Sequence, residues 1–317
     1  MSAVRRLALA LASTIVVLSG CASGGSLDEA GQASRPIAPT ASSIPAATPG
    51  TRAPVPAAPG SQSPAPRATV PSAPSSGPTV SLPTPNANFD YQLGGAYPPP
   101  SGVSMVSRDR TDPPAPGLYN VCYVNGFQTQ PGESQWWLTS HPALVLRDSS
   151  NAPVIDPDWP GEYILDISTA PKRAQIAAIV GPWIAGCGSS GYQAVEIDNL
   201  DTYTRFSAKL EEADAIAMAS AYVGIAHAEG LAIAQKNSAE LVALRNQTGF
   251  DFAVAEQCGQ YDECALYTAG YGNLVYVIEY QQAAFTATCA QYPNLSVLLR
   301  DVNLTTPSNT AYRRSAC

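Results

Sequence analysis

The sequence predicts an α/β protein, a (β/α)8 barrel of the TIM type in a single domain, and three observations carry that expectation. Short apolar runs alternate with helix-prone segments from Phe89 to Cys317, which is the order of a parallel α/β sheet. Those 229 residues of the 317 suit one barrel. Apolar runs also end repeatedly in an ionisable residue, and in a barrel the carboxyl ends of the strands open onto the active site.

Taken in order, the chain begins with a targeting segment over residues 1–21. Arg5 and Arg6 form a positive start, Leu7 to Val17 an apolar stretch too short to span a bilayer comfortably, and Leu18-Ser19-Gly20-Cys21 a small-residue cleavage site. The tetrapeptide resembles a bacterial lipobox, which implies a lipoprotein signal peptide with Cys21 as the lipidated N-terminus. The membrane is then met through acyl chains alone, and the domain lies on the extracytoplasmic side of the cell envelope. Residues 22–88 read as a disordered linker. Between Gly31 and Pro85 there are 14 prolines and no aromatic residue, so nothing is available to bury against the entropy of ordering. Such a tether reaches roughly 45 Å as a flexible coil.

The catalytic-domain expectation covers residues 89–317. Its candidate strands are Phe89–Leu93, Val103–Ser107, Leu118–Val124, Tyr163–Ile167, Gln193–Asp198, Leu231–Lys236, Asp251–Glu256, Leu274–Tyr280 and Ser296–Arg300. Nine candidates for eight places leave at least one outside the barrel. Helices are expected at Pro171–Ala185, with proline in the first turn, and at Glu211–Glu229, closed by Gly230. The stretch Ala194 to Asp201 is the most informative: Val195 and Ile197 alternate with Glu196 and Asp198, then Asn199 and Asp201 follow. Alone it also suits an acidic turn capping the next helix.

Charge narrows the partners. Residues 1–88 carry five Arg against two acids, so residues 89–317 hold 12 basic and 23 acidic side chains, a formal −11. An acidic domain disfavours nucleic acid and anionic membrane surfaces and suits a cationic ligand. Beyond Cys21 six cysteines remain, an even number in a chain sent to an oxidising compartment, which favours disulfides over metal binding. Proximity in sequence suggests Cys258 with Cys264 and Cys289 with Cys317, leaving Cys122 with Cys187.

The strand ends form a set: Gln92 after Tyr91, Asp166, Asp198, Lys236-Asn237, Glu256 and Glu279. Glycoside hydrolysis needs two carboxyl groups across a sugar bond, one a protonated acid and one an ionised base or nucleophile, and this set can supply them. His141 and His227, the two histidines, give little for a Ser-His-Asp triad or a histidine metal site, and no G-x-G-x-x-G follows a strand. No metal and no cofactor are expected.

The runs Asp90-Tyr91-Gln92-Leu93, Val195 to Asp201, Gly230 to Asn237, Phe250 to Cys258 and Ile278-Glu279-Tyr280 resemble glycoside hydrolase family 114, the endo-α-1,4-polygalactosaminidase family, in order and spacing across residues 89–317. The resemblance implies a barrel and cleavage of α-1,4-linked galactosamine polymers; the enzyme is expected to be endo-acting and a monomer. Asp198 and Glu256 match the two catalytic carboxylates, and Asn199, Asp201, Lys236, Asn237 and Glu279 match pocket residues. Tyr91, Gln92, Asp166 and Glu196 complete the expected substrate-binding set. In the expected mechanism Asp198 attacks the anomeric carbon while Glu256 protonates the leaving oxygen and then activates water, with retention. Lys236 either favours ionised Asp198 or forms a salt bridge on the rim. Substrate ammonium groups are expected at Glu196, Asp201 and Glu279. The reading from another class is a catalytically silent polysaccharide-binding lipoprotein using the same cleft.

Overall fold

A computed structural model describes residues 78–317. The signal peptide, the lipidation site Cys21 and the linker as far as residue 77 lie outside the described residues.

Among the described residues, strands β1 (Phe89–Gln92), β2 (Met105–Asp109), β3 (Tyr119–Asn125), β4 (Ala194–Asp198), β5 (Ala232–Lys236), β6 (Phe252–Glu256), β7 (Val275–Glu279) and β8 (Ser296–Arg300) follow one another in sequence order in one sheet. Each pairs in parallel with the next. A ninth strand, β9 (Arg314–Ala316), runs antiparallel to β8. Arg314 bridges from there to β1, with Nε 3.0 Å from Asp90 Oδ1 and a terminal nitrogen 3.0 Å from the Phe89 carbonyl. The barrel of the TIM type is therefore nearly closed, with a C-terminal strand at its seam.

Alternation along the strands sorts the side chains. On β4, Val195 and Ile197 join the outer core beneath the helices, while Ala194 joins the lumen. The small Ala194, Ala232 and Ala234 leave space across the lumen for the rings of Phe89, Phe252 and Tyr276. Tyr276 meets both phenylalanines edge to face, at centroid distances of 5.5 and 5.8 Å.

Helices α1 (Ser134–Ser140), α2 (Ala170–Ser190), α3 (Thr202–Arg205), α4 (Glu212–Ala228), α5 (Arg245–Thr248), α6 (Cys264–Tyr271) and α7 (Gln282–Gln291) complete the fold. Thr169 caps α2 by accepting from the Lys172 amide, Pro171 occupies its first turn, and Gly191 ends it at φ 93°. The helix runs five residues beyond the expected Ala185, through Gly186 and Gly188. The first two crossovers contain no helix. Their sequences, with Gly94-Gly95 and Pro98-Pro99-Pro100 in one and Pro113-Pro114 and Pro116-Gly117 in the other, cannot sustain one, so the (β/α)8 pattern is incomplete there.

The candidate strand outside the barrel is Tyr163–Ile167. β3 pairs directly with β4, Val121 opposite Ala194, and leaves no place between them. The Tyr163 segment instead makes antiparallel bridges, Tyr163 to Ile155, Ile164 to Gln128 and Leu165 to Val145, within a long excursion between β3 and α2. Residues 78–88, assigned to the linker by composition, pack against the barrel. Tyr119 Oη donates to the Ser81 carbonyl (2.6 Å) and Tyr276 Oη to that of Thr84 (2.7 Å), and Ala87 is buried.

The disulfides join Cys122 to Cys187, Cys258 to Cys264 and Cys289 to Cys317, the pairing that sequence proximity suggests. They tie β3 to α2, clamp the loop leaving β6, and tie α7 to the residue after β9. Among the described residues, no helix is long and apolar enough to cross a membrane.

Candidate active site

Strand parity brings four ionisable side chains to one end of the lumen. On β4, Glu196 and Asp198 share the face of Ala194; on β5, Lys236 shares that of Ala232 and Ala234; on β6, Glu256 shares that of Phe252 and Val254. The Lys236 ammonium sits among the three carboxylates, 3.2 Å from Glu196 Oε1, from Asp198 Oδ1 and from Glu256 Oε2.

The cluster is layered by depth. Glu196 is fully buried and Lys236 is 2% exposed, whereas the Asp198 and Glu256 side chains keep 19% and 24% of their surface. Below, Glu196 accepts from Tyr91 Oη at 2.5 Å and Ser107 Oγ at 2.9 Å. Above, Asp198 Oδ2 accepts from Tyr123 Oη at 2.6 Å, and Oδ1 from the Asn199 amide at 2.8 Å. Glu256 Oε1 accepts from Tyr280 Oη, and Oε2 from Asn237 Nδ2 at 3.0 Å, while Asn237 Oδ1 accepts in return from the Glu256 amide at 2.8 Å. Asn199 and Asn237 each follow their strand in the left-handed region, at φ 65° and 51°, a conformation asparagine tolerates better than most residues. At Asn237 the side-chain amide reaches Glu256, and at Asn199 the backbone N–H reaches Asp198.

Electrostatics separates the acids. Burial alone raises the Asp198 pKa, but the Lys236 ammonium, the Tyr123 hydroxyl and the Asn199 amide outweigh it and hold the carboxyl below its ordinary value. Glu196 goes the other way, because burial exceeds the help from Lys236, Tyr91 and Ser107. Burial lowers the Lys236 pKa, yet Asp198, Glu256, Tyr91 and Glu196 together raise it well above the ordinary lysine value, so the lysine remains an ammonium. That ammonium takes the position a metal ion would need among these carboxylates. Burial also raises Tyr91, Tyr123 and Tyr280 well above their usual value and keeps them hydrogen-bond donors.

The family model of glycoside-hydrolase family GH114 matches residues 69–317. The chain belongs to glycoside hydrolase family 114. It is accordingly a glycoside hydrolase. Among solved structures, it is similar to that of Aspergillus fumigatus Ega3 in complex with galactosamine, with 22% identity, a TM-score of 0.60, and coverage of 75% of this chain and 98% of that one. The glycoside hydrolase domain of PelA from Pseudomonas aeruginosa also matches, at 14% identity and a TM-score of 0.48, covering 71% of this chain and 98% of that one. No curated protein matches the chain.

Of the residues expected in this family 114 site, Tyr91, Glu196, Asp198, Asn199, Lys236, Asn237 and Glu256 converge. Tyr91 and Glu196, however, are buried beneath Lys236 and support it from below. Four others are placed elsewhere. Gln92 lies on the outer face of β1, accepting from Arg108 Nε at 2.9 Å. Glu279 lies on the outer face of β7 with Val275 and Val277, and its Oε1 accepts from the Gly259 amide at 2.7 Å. Asp166, in the excursion and not at a strand end, is ion-paired with Lys172 at the start of α2. Asp201 stands at the N-terminal end of α3 without a side-chain cap bond and is ion-paired with Arg205 at 3.1 Å. Strand-end position alone did not identify Ser107, Tyr123 and Tyr280. Parity does: Tyr280 continues the lumen-facing series Tyr276, Ile278, and Tyr123 follows Val121.

Proposed function

We propose that this family 114 hydrolase cleaves α-1,4-linked galactosamine polymers internally and with retention, Asp198 acting as nucleophile and Glu256 as acid and then base. The observation that carries the reading is the pair of partly exposed carboxylates held at 3.2 Å from one buried ammonium. Asp198, kept below its ordinary pKa, is ionised and suited to attack at the anomeric carbon. The same property bars it from holding the proton a leaving oxygen needs. The acid role is assigned to Glu256, the other partly exposed carboxylate of the pair.

Since each carboxyl oxygen is 3.2 Å from Lys236 Nζ, the two are at most twice that distance apart. That bound accommodates the roughly 5 to 5.5 Å separation of a retaining pair. After glycosylation of Asp198, Glu256 as carboxylate takes a proton from water, which attacks the same anomeric carbon and frees Asp198. Lys236 offsets the charge that returns to Asp198 in this second step. The galactosamine bound to Ega3 supports the substrate class, as does the formal −11 of residues 89–317 against a polycation. The lipobox-like Leu18 to Cys21 supports an enzyme lipid-anchored on the extracytoplasmic side of a bacterial membrane.

Incubation of the purified full chain with partly deacetylated galactosaminogalactan tests the activity; released oligosaccharides are expected, and an unchanged polymer contradicts it. For the anchor, fatty-acid labelling is expected in the wild type and absent from Cys21→Ser; label retained by that variant contradicts lipidation at Cys21.

A further inference from the structure

The mechanism uses none of the carboxylates in the excursion between β3 and α2, and one of them, Glu162, is hydrogen-bonded to the end of β3. Glu162 Oε2 accepts from Asn125 Nδ2 at 3.0 Å and from Gln128 Nε2 at 2.9 Å. Asn125 is the last residue of β3, opposite Asp198 in the sheet register, and its Oδ1 accepts from Asn199 Nδ2 at 3.0 Å. Glu162 is thus joined to the residue beside Asp198 through two amide side chains. Its other oxygen, Oε1, makes no hydrogen bond among the described residues.

Two other acids, Asp156 of the excursion, which is fully buried, and Asp201 before α3, share one guanidinium, that of Arg205. Arg205 also donates to Gln128 Oε1 at 2.7 Å and Asn199 Oδ1 at 3.1 Å, which holds one donor to Glu162 directly and the other, Asn125, through Asn199. Glu162 itself has only neutral amide partners and no ion pair among the described residues. A half-buried carboxylate with rigid donors on one oxygen and the other oxygen free is set up for a cation of the ligand.

We propose that Glu162 binds the ammonium group of a galactosamine unit in the cleft and sets a preference for deacetylated over N-acetylated polymer. The inference rests on the substrate class proposed above. In a galactosamine unit the amine is on the carbon adjacent to the anomeric centre, so a sugar poised over Asp198 carries its ammonium within a side chain's reach of that residue. An acetamide at the same position offers a neutral N–H and adds bulk, and leaves the carboxylate uncompensated. Burial, with Asp198 nearby, raises the Glu162 pKa, which an arriving ammonium offsets.

The test compares wild type, Glu162→Gln and Glu162→Asp, all as the full chain, on fully deacetylated and fully N-acetylated α-1,4-linked polymer. Binding of D-galactosamine and N-acetyl-D-galactosamine is measured in parallel by calorimetry. In Glu162→Gln the ratio of kcat/KM between the two polymers is expected to fall about tenfold, mainly through KM. Its rates on the deacetylated polymer should also become less sensitive to salt than those of wild type. Glu162→Asp, which keeps the charge, retains the preference. An unchanged ratio in Glu162→Gln, or an equal loss on both polymers, overturns the proposal and leaves Glu162 a structural residue. A wild type that binds galactosamine through Glu162 yet cleaves neither polymer contradicts the proposed reaction and not the ammonium site. A wild type that neither binds nor cleaves contradicts both.

Discussion

Lys236 Nζ lies 3.2 Å from Asp198 Oδ1, and only 2% of the lysine side chain reaches solvent. A rim salt bridge of this kind contributes little. A buried one that also contacts Glu196 and Glu256 fixes the charge state of the site and explains why Asp198 is held ionised despite its burial.

Replacement of Lys236 by Met is therefore expected to move the acid limb of the kcat/KM profile to higher pH. The Asp198 pKa is below its ordinary value in the wild type because of Lys236, and burial alone raises it. The same substitution strands fully buried Glu196, which costs about 3 to 5 kcal/mol at neutral pH. The sign of its pH dependence follows. In the variant Glu196 loses the lysine that opposed its upward shift, so its folded pKa stays above the unfolded one. The penalty shrinks as pH falls through that raised value. Urea titrations at several pH values check this, and an acid limb that does not move contradicts the role given to Lys236.

Tyr123 and Tyr280 make the parallel case for the hydroxyls, since each donates to one catalytic carboxylate. A hydrogen bond to a charged group contributes about 1.5 to 3 kcal/mol. Tyr123→Phe and Tyr280→Phe should each lower kcat/KM by roughly 10- to 100-fold and also lower the unfolding midpoint. Steady-state kinetics beside thermal unfolding separate the two effects.

Glu279 gives the opposite expectation. It is fully buried on the outer face of β7, its Oε2 has no hydrogen-bond partner, and burial raises its pKa. Glu279→Gln keeps an oxygen for the Gly259 amide and removes a carboxyl that is costly to ionise. Turnover within about threefold of wild type is expected, with stability equal or higher at neutral pH. A hundredfold loss of kcat with intact folding places Glu279 back in the site.

The contrast between Glu279 and Tyr280 shows where the sequence was legible. On β4 the alternation Val195-Glu196-Ile197-Asp198 marks one face as polar, so the position of Asp198 follows from pattern alone. On β7 the run Val275-Tyr276-Val277-Ile278 is apolar on both faces because both are buried, and periodicity cannot say which of the next two residues enters the lumen. β1 misleads differently. Its outer face is covered by the Arg108 and Arg314 side chains in place of a helix, so polar Asp90 and Gln92 belong there. Tyr163–Ile167 has the composition of a strand and is buried at Ile164, Leu165 and Ile167. Only the pairing of β3 with β4 excludes it from the barrel. Residues 78–88 share the proline content of the linker, and their packing depends on the Tyr119 and Tyr276 hydroxyls, which are far away in sequence.

The most direct measurement is release of reducing ends from deacetylated α-1,4-galactosamine polymer by the full chain, its Asp198→Asn variant and its Glu256→Gln variant, with polymer binding followed in parallel. Both substitutions preserve shape and leave Lys236 in place. The expected result is steady release by wild type and less than about one-hundredth of that rate by either variant, with polymer still bound by all three. Release by either variant at close to the wild-type rate contradicts the assignment of Asp198 and Glu256 as the reacting carboxylates.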